Sequence, residues 1–234
     1  MSEIAAPVTA PDRTTPARAL LPNLAMFLLD AALLALGVGS VHALLHHPRA
    51  LGLLLIWAAG HGALAGFRRA RPQDVAARRT EQRFVLAALV LLPLVTPMLS
   101  AFGERAGLWL LPGGAALRWA GVALAGAGVL LRVLAIRRLG ERFSPVLEVQ
   151  RQHRLETAGV YGWMRHPGYA GAWWSNLGTI LAFGSAATLT LAVLMALAAW
   201  ARVEREEEML AGAFGGEFRR YRDRVGRWAP RLGR

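Results

Sequence analysis

Residues 168–201 read GYAGAWWSNLGTILAFGSAATLTLAVLMALAAWA. The run is apolar almost throughout and too long for a single bilayer crossing, which takes about 20 residues. Gly184 and Ser185 divide it, so it reads as a helical hairpin. Working outward, earlier apolar runs at 19–45, 50–67, 84–101 and 115–136 each come close to crossing length. Leu and Ala dominate them, which favours helices over barrel strands. The pattern predicts an all-α, polytopic membrane bundle of about six transmembrane helices that ends in the hairpin.

Composition agrees. Of the 234 residues, 55% are hydrophobic and only 18% charged, with a mean hydropathy of +0.35. A soluble globule lacks the interior to hide that much apolar surface. The absence of Cys excludes disulfides, thiolate metal sites and cysteine nucleophiles. The net charge is +12, carried by Arg alone. These arginines sit in loops between apolar runs, which points to a polybasic cytoplasmic face and not to nucleic-acid binding. With six crossings, 23 arginines fall on the side of the termini. Arg49 and Arg105 fall on the other side, and Arg118 and Arg132 remain within helices. The positive-inside rule then makes both termini cytoplasmic.

The organisation reads as a disordered, Pro-rich tail at 1–18, N-terminal transmembrane helices at 19–114 and a functional region at 115–234. The first apolar run is too long for a signal-peptide core, so no cleaved leader is expected. Past Ala201 the helix continues in charged residues until Gly215 and Gly216 interrupt it. Phe218, Tyr221 and Trp228 then alternate with Arg, a pattern suited to the membrane surface.

Ionisable groups inside the bilayer are functional candidates. Arg132 lies one turn inside the end of the fourth helix, where it serves chemistry or snorkels to headgroups. Asp30 is expected to pair with an Arg or His of a neighbouring helix. His42, His46 and His47 have metal-ligand spacing but no carboxylate near them in sequence, and no metal site is expected. His61 reads as a packing residue, and Gly62 with Gly66 as a small-residue helix contact. Gly37 with Gly39 and Gly126 with Gly128 lie inside apolar helices, so no Rossmann domain is supported.

The informative stretch is the loop 137–167 and the hairpin after it. Pro167 suits the first turn of a helix, with His166 just before it. Backbone N–H groups, His166 and Tyr169 then gather at a helix N-terminus, which can hold a carboxylate or phosphate. Tyr161, Trp163, Trp173 and Trp174 also fit an aromatic belt. Arg202 and Glu206 are four apart and share a helix face. Glu204, Glu206, Glu207 and Glu208 crowd carboxylates that need a cation or a donor.

These residues resemble the isoprenylcysteine carboxyl methyltransferase family of integral membrane enzymes, over roughly the C-terminal half. The shared string runs from Leu131, Arg132, Ala135, Gly140 and Phe143 through His153, Leu155, Gly159, Val160 and Tyr161. It continues with Arg165, His166, Pro167, Tyr169, Gly171, Gly178 and Thr179. It closes with Arg202, Glu206, Glu207, Phe214, Gly215, Glu217, Phe218, Tyr221 and Pro230. The family carries Ser or another small residue where Gly168 stands.

The resemblance implies S-adenosylmethionine as methyl donor and a cytoplasmic cofactor-binding loop. It assigns cofactor contacts to Glu148, His153, Arg154, Leu155, Glu156, Tyr161, His166, Pro167, Gly168, Tyr169 and Glu206. It places the substrate carboxylate on Arg132 and Arg202, and it implies no metal. The expected partners are a lipid-like or prenylated substrate and membrane lipids, in a bacterial inner membrane with the site on the cytoplasmic side. Competing readings are a phospholipid-amine or small-thiol acceptor, a sterol-reductase-like membrane reductase, and a non-enzymatic scaffold.

Overall fold

The computed structural model describes residues 16–65, 75–78, 83–143, 148–150 and 154–231; for 16–20, 75–78, 141 and 148–150 it describes the backbone only. The chain is an integral membrane bundle of α-helices. In order they are α1 (Pro16–Val38), α2 (Val41–Leu45), α3 (Pro48–Leu64), α4 (Arg83–Arg105), α5 (Gly114–Leu139), α6 (Pro167–Phe183), α7 (Leu189–Phe214) and α8 (Gly216–Arg224). The segments Leu21–Val38, Arg83–Arg105, Gly114–Leu139 and Ala186–Phe214 are each long and apolar enough to cross a bilayer. That makes four candidate spans among the described residues, where the apolar runs suggested about six. α3 and α6 are apolar but have only 17 residues each. Helix α1 begins at Pro16, inside the segment expected to be disordered; residues 1–15 lie outside the described ones.

One departure from an all-α reading is a two-stranded antiparallel ribbon. Strand β1 (Val75–Arg78) pairs with β2 (Glu148–Gln150), in the register Val75 to Gln150 and Arg78 to Glu148. Short pairings inside polar loops leave too little periodicity to be read from sequence.

Local chemistry fixes the helix ends. His47 caps α3, its Nδ1 accepting from Ala50 N at 3.2 Å, with Pro48 in the first turn. Gly184 stops α6 in the left-handed region at φ 66°, where a side chain would be strained. A short turn at Ala186–Thr188 then leads into α7, so the hairpin divides where the sequence indicated.

The closest packing joins α5 to α6. A Cβ added at Gly121 would stand 2.4 Å from Ala182 N, and one at Gly128 would stand 2.3 Å from Ser175 N. From the other side, a Cβ at Gly171 would meet Gly128 O at 2.6 Å, and one at Gly178 would meet Ala125 N at 2.3 Å. The backbones therefore touch along Gly121, Ala125 and Gly128 against Gly171, Ser175, Gly178 and Ala182. Lipid tails compete with apolar side chains for contact, so membrane helices gain most where small residues let backbones approach. Gly62, expected in that role, meets nothing within 4 Å, and Gly66 lies outside the described residues. Two arginines bracket the seam. Arg118 reaches the C-terminal end of α6 at Gly184, and Arg132 donates to Gly168 O near its N-terminal end, at 3.0 Å.

At the end of the bundle away from the termini, the α4–α5 loop pairs with the hairpin turn. Leu111 N donates to Gly184 O and Ala186 N to Trp109 O, both at 2.8 Å. Arg49 meets Glu104 at 2.8 Å and also donates to Ala182 O. Glu104 lies 3.3 Å from His47 Nε2 as well, so folding supplies the carboxylate that the local sequence lacks. Among the described residues no group of three or more His, Cys, Asp or Glu could hold a metal ion. Asp30 pairs with His61 at 3.3 Å, the helix-to-helix partner expected for it.

Candidate active site

The site is built at the N-terminal end of α6. The chain arrives through the 3₁₀ turn Gly159–Gly162, and the carbonyl of His166 accepts from Ala170 N at 3.1 Å to start the helix. Opposite runs the polar extension of α7, which carries Arg202, Glu206 and Glu207. Because α5 lies against α6 without intervening side chains, Arg132 is delivered to the same place. Its guanidinium bonds Gly168 O.

Tyr169 links the two groups that the sequence paired directly. Arg202 Nε donates to Tyr169 Oη at 2.6 Å, and Tyr169 Oη donates to Glu206 Oε2 at 2.9 Å. Arg202 is buried, and its guanidinium carbon lies 6.0 Å from the Tyr169 ring centre. The phenol thus holds a cation and a carboxylate at fixed separation. Glu206 Oε1 faces His166 Nδ1 at 3.9 Å, too long for a direct hydrogen bond.

Behind this line stands a buried ionic hub on Glu207. Arg165 reaches it at 2.8 Å, His166 Nε2 at 3.0 Å and Arg227 at 2.9 Å. A carboxylate only accepts, so Nε2 carries the proton that it donates to Glu207, while Nδ1 faces Glu206. Arg165 also donates to Arg222 O at 3.1 Å and to Val225 O. Arg165 N donates to Gly226 O at 2.8 Å and His166 N to Arg227 O at 3.2 Å. The C-terminal segment is thereby strapped across the start of α6, with Trp228 6.0 Å from the His166 ring.

Sequence reasoning left Arg165, Glu207 and Arg227 out of the site. The available signals were the second carboxylate of the Glu206–Glu207 doublet and the Arg that precedes His166-Pro167. The burial that makes them a hub depends on the C-terminal strap folding back, which no local pattern encodes.

The loop residues divide into two groups. Glu156 accepts from Arg142 at 2.8 Å, from Arg138 at 3.2 Å and from Ala158 N at 3.1 Å. Burial raises its pKa, but these donors and the Arg138 charge outweigh that and leave it below the usual carboxylate range. Leu155 packs against the buried cluster of Phe218, Tyr221 and Val225, together with Leu210, Ala211 and Phe214. Both residues brace the loop against α5, α7 and α8. The apolar side of α8 therefore faces protein, not the membrane surface for which its sequence seemed suited. Arg154 is exposed, and its carbonyl accepts from Arg142 at 3.1 Å. Tyr161 is buried, with its hydroxyl 3.5 Å from Ala135 O, while Tyr221 Oη donates to Tyr161 O at 2.7 Å. Burial pushes both phenols up, so they stay protonated at neutral pH. Pro167 and Gly168 form the first turn of α6. Glu148 opens β2, with its side chain outside the described residues, as is all of His153.

This half of the molecule has known counterparts. Residues 116–217 match the phospholipid methyltransferase family. The protein-S-isoprenylcysteine O-methyltransferase of Saccharomyces cerevisiae is 30% identical over 106 residues, covering 44% of this chain and 44% of that protein. The enzyme of the same name from Rattus norvegicus is 34% identical over 112 residues, covering 45% and 38%. The C-terminal half is thus similar in sequence to these isoprenylcysteine O-methyltransferases. The match spans less than half the length of these two relatives. A solved structure titled as the eukaryotic intramembrane Ras methyltransferase superposes on 92% of this chain and 73% of its own, with a TM-score of 0.47 and 21% identity.

Proposed function

We propose that the protein is an S-adenosylmethionine-dependent carboxyl O-methyltransferase acting on a lipid-like, prenylcysteine-type carboxylate. The observation that carries this reading is the Arg202–Tyr169–Glu206 chain with Arg132 beside it. It sets two cations and one carboxylate around the start of a single helix. Residues 115–234 supply the catalytic region, and the helices within 19–114 serve as its transmembrane scaffold. Helices α3 and α6, each about 26 Å long, complete six crossings. The arginine bias then puts the termini and the site on the cytoplasmic side, in a bacterial inner membrane.

The residues suit the methyl donor. Its sulfonium and ammonium are cations that need acceptors and aromatic faces, and Glu206 and Trp228 provide them together. Glu206 and His166 would hold it, with Tyr169, Pro167 and Gly168 shaping the wall and Tyr161, Arg154, Leu155 and Glu156 holding the loop in place. Glu148 and His153 belong to the same loop. When bound, the donor supplies an electrophilic methyl carbon. Arg132 and Arg202 draw in the acceptor carboxylate and aim one oxygen. That nucleophile is already anionic, so no general base is required. Catalysis then comes from alignment and from removing water around the charges.

The experiment is transfer of a radiolabelled methyl group to a short prenylcysteine by purified protein in detergent. Arg202→Ala should abolish turnover and leave donor binding by calorimetry nearly intact. Unchanged turnover would remove Arg202 from the substrate role. A phospholipid amine is the second acceptor class, favoured by the family match over residues 116–217. Phosphatidylethanolamine in the same assay separates the two, since paired arginines repel an ammonium.

A further inference from the structure

Helix α8 has a charged face that the chemistry above does not use. Arg219, Arg220, Arg222 and Arg224 are all exposed, while Phe218 and Tyr221 of the same helix are buried against Leu210, Ala211 and Phe214. Glu217 and Asp223 are exposed on α8 as well. Even so, none of the four arginines forms an ion pair among the described residues. Arg220 Nη1 and Arg219 Nη2 both turn back toward Gly216, at 3.6 and 3.8 Å from a Cβ built there. Like charges that converge repel each other, and an anion between them reverses the sign of that interaction.

Depth in the bilayer says which anion. Helix α7 has 26 residues and is about 39 Å long, against about 30 Å of hydrocarbon. Its polar continuation past Arg202 therefore rises through the headgroup layer on the side of the termini. The chain turns back at Gly215, with φ 50°, and α8 packs along that continuation. Just past α8, the Arg227 guanidinium lies 5.0 Å from the ring centre of Trp200, the half-exposed residue near the end of the apolar part of α7. Helix α8 thus spans from the outer end of the polar extension toward the hydrocarbon edge, at the depth of lipid phosphates. Guanidinium forks suit phosphate oxygens.

The same helix touches the site through its backbone. Arg222 O and Val225 O accept from Arg165, and Gly226 O and Arg227 O accept from Arg165 N and His166 N. Whatever holds α8 therefore holds the strap across the start of α6.

We propose that the exposed arginine face of α8 binds anionic phospholipid headgroups of the leaflet on the side of the termini, and that this binding tightens the strap. The inference stands apart from the proposed function, because neither the lipid contact nor its test involves methyl transfer.

The test uses full-length protein. In vesicles of equal parts phosphatidylcholine and phosphatidylglycerol, a photoreactive phosphatidylglycerol should label residues 216–231. In detergent, short-chain phosphatidylglycerol is titrated by thermal stabilisation. Arg220→Gln should weaken its affinity about fivefold, from about 1 kcal/mol per arginine near an anionic surface. The triple variant Arg219→Gln, Arg220→Gln, Arg224→Gln should weaken it about a hundredfold. These side chains are exposed, so the thermal midpoint in phosphatidylcholine alone should stay at the wild-type value. Hydrogen exchange at the amides of Arg165 and His166 should slow in the mixed vesicles relative to phosphatidylcholine, and should not slow in the triple variant. Labelling confined to other segments, or wild-type affinity in the triple variant, overturns the proposal. Equal stabilisation by water-soluble glycerol phosphate would make the face a free-anion site and overturn the lipid reading. Lipid binding with unchanged exchange at Arg165 and His166 would overturn the coupling to the strap.

Discussion

Replacing Gly171 with alanine should disable the site from a distance. The added Cβ would lie 2.6 Å from Gly128 O and 2.7 Å from Arg132 N, both backbone atoms that cannot swing aside. Ordinary contact begins near 3.4 Å, so α5 and α6 must part locally by about 0.8 Å. Overpacking of this kind costs about 1–3 kcal/mol. Gly171 is one turn from Gly168, whose carbonyl accepts from Arg132 at 3.0 Å. The same displacement stretches that bond to about 3.8 Å, beyond hydrogen-bond range. Misplacing a substrate-aiming group by about 1 Å can cost around a hundredfold in rate. The matched control is Gly168→Ala, where the new Cβ meets only Ala135 Cβ, at 4.0 Å. That variant should hold or slightly raise stability, because alanine fits a helix better than glycine does. Thermal unfolding in detergent and methyl-transfer rates decide between them. A Gly171→Ala protein as stable and as active as Gly168→Ala would refute the reasoning that the glycine seam positions Arg132.

Three further outcomes are expected. Glu207→Ala leaves Arg165, whose side chain is only 6% exposed, without its carboxylate, and should cost about 3–5 kcal/mol in chemical unfolding; a loss below about 1 kcal/mol would mean that the hub does not hold the strap. Tyr169→Phe removes the hydroxyl between Arg202 and Glu206 and should lower methyl transfer at least about tenfold with little change in thermal midpoint, so unchanged turnover would show that the link is not needed. Glu156 has a depressed pKa, so its bracing of the loop is complete above the ordinary carboxylate value and is lost as pH falls through the lowered one. Protease sensitivity at 154–158 should rise only in that acid window, and Glu156→Gln should raise it at neutral pH; a pH-independent cleavage pattern in the native protein would count against the brace.

Much of the molecule was legible in the sequence because the bilayer imposes its own length and polarity. The apolar runs, the Gly184–Ser185 break and the bias of arginine toward one side follow from hydrocarbon thickness and the cost of burying charge. Pro167 after His166 marks the start of α6 through its fixed φ and missing N–H. The sequence alone therefore determined a membrane helical bundle with a C-terminal hairpin. It also brought Arg202, Glu206, His166 and Tyr169 forward as candidates.

What belongs to distant contacts was not legible. The heptad-spaced pairs Gly121/Gly128 and Gly171/Gly178 are visible, but only the folded helices show that each serves the other. A small residue has no sequence signature for its partner. Tyr169 bridges Arg202 to Glu206, and Glu207 becomes buried, because α6 and α7 are antiparallel and the C-terminal segment returns across them. Local propensity fixes where a helix begins and ends, whereas packing decides which face meets which, and the chemistry resides in those meetings.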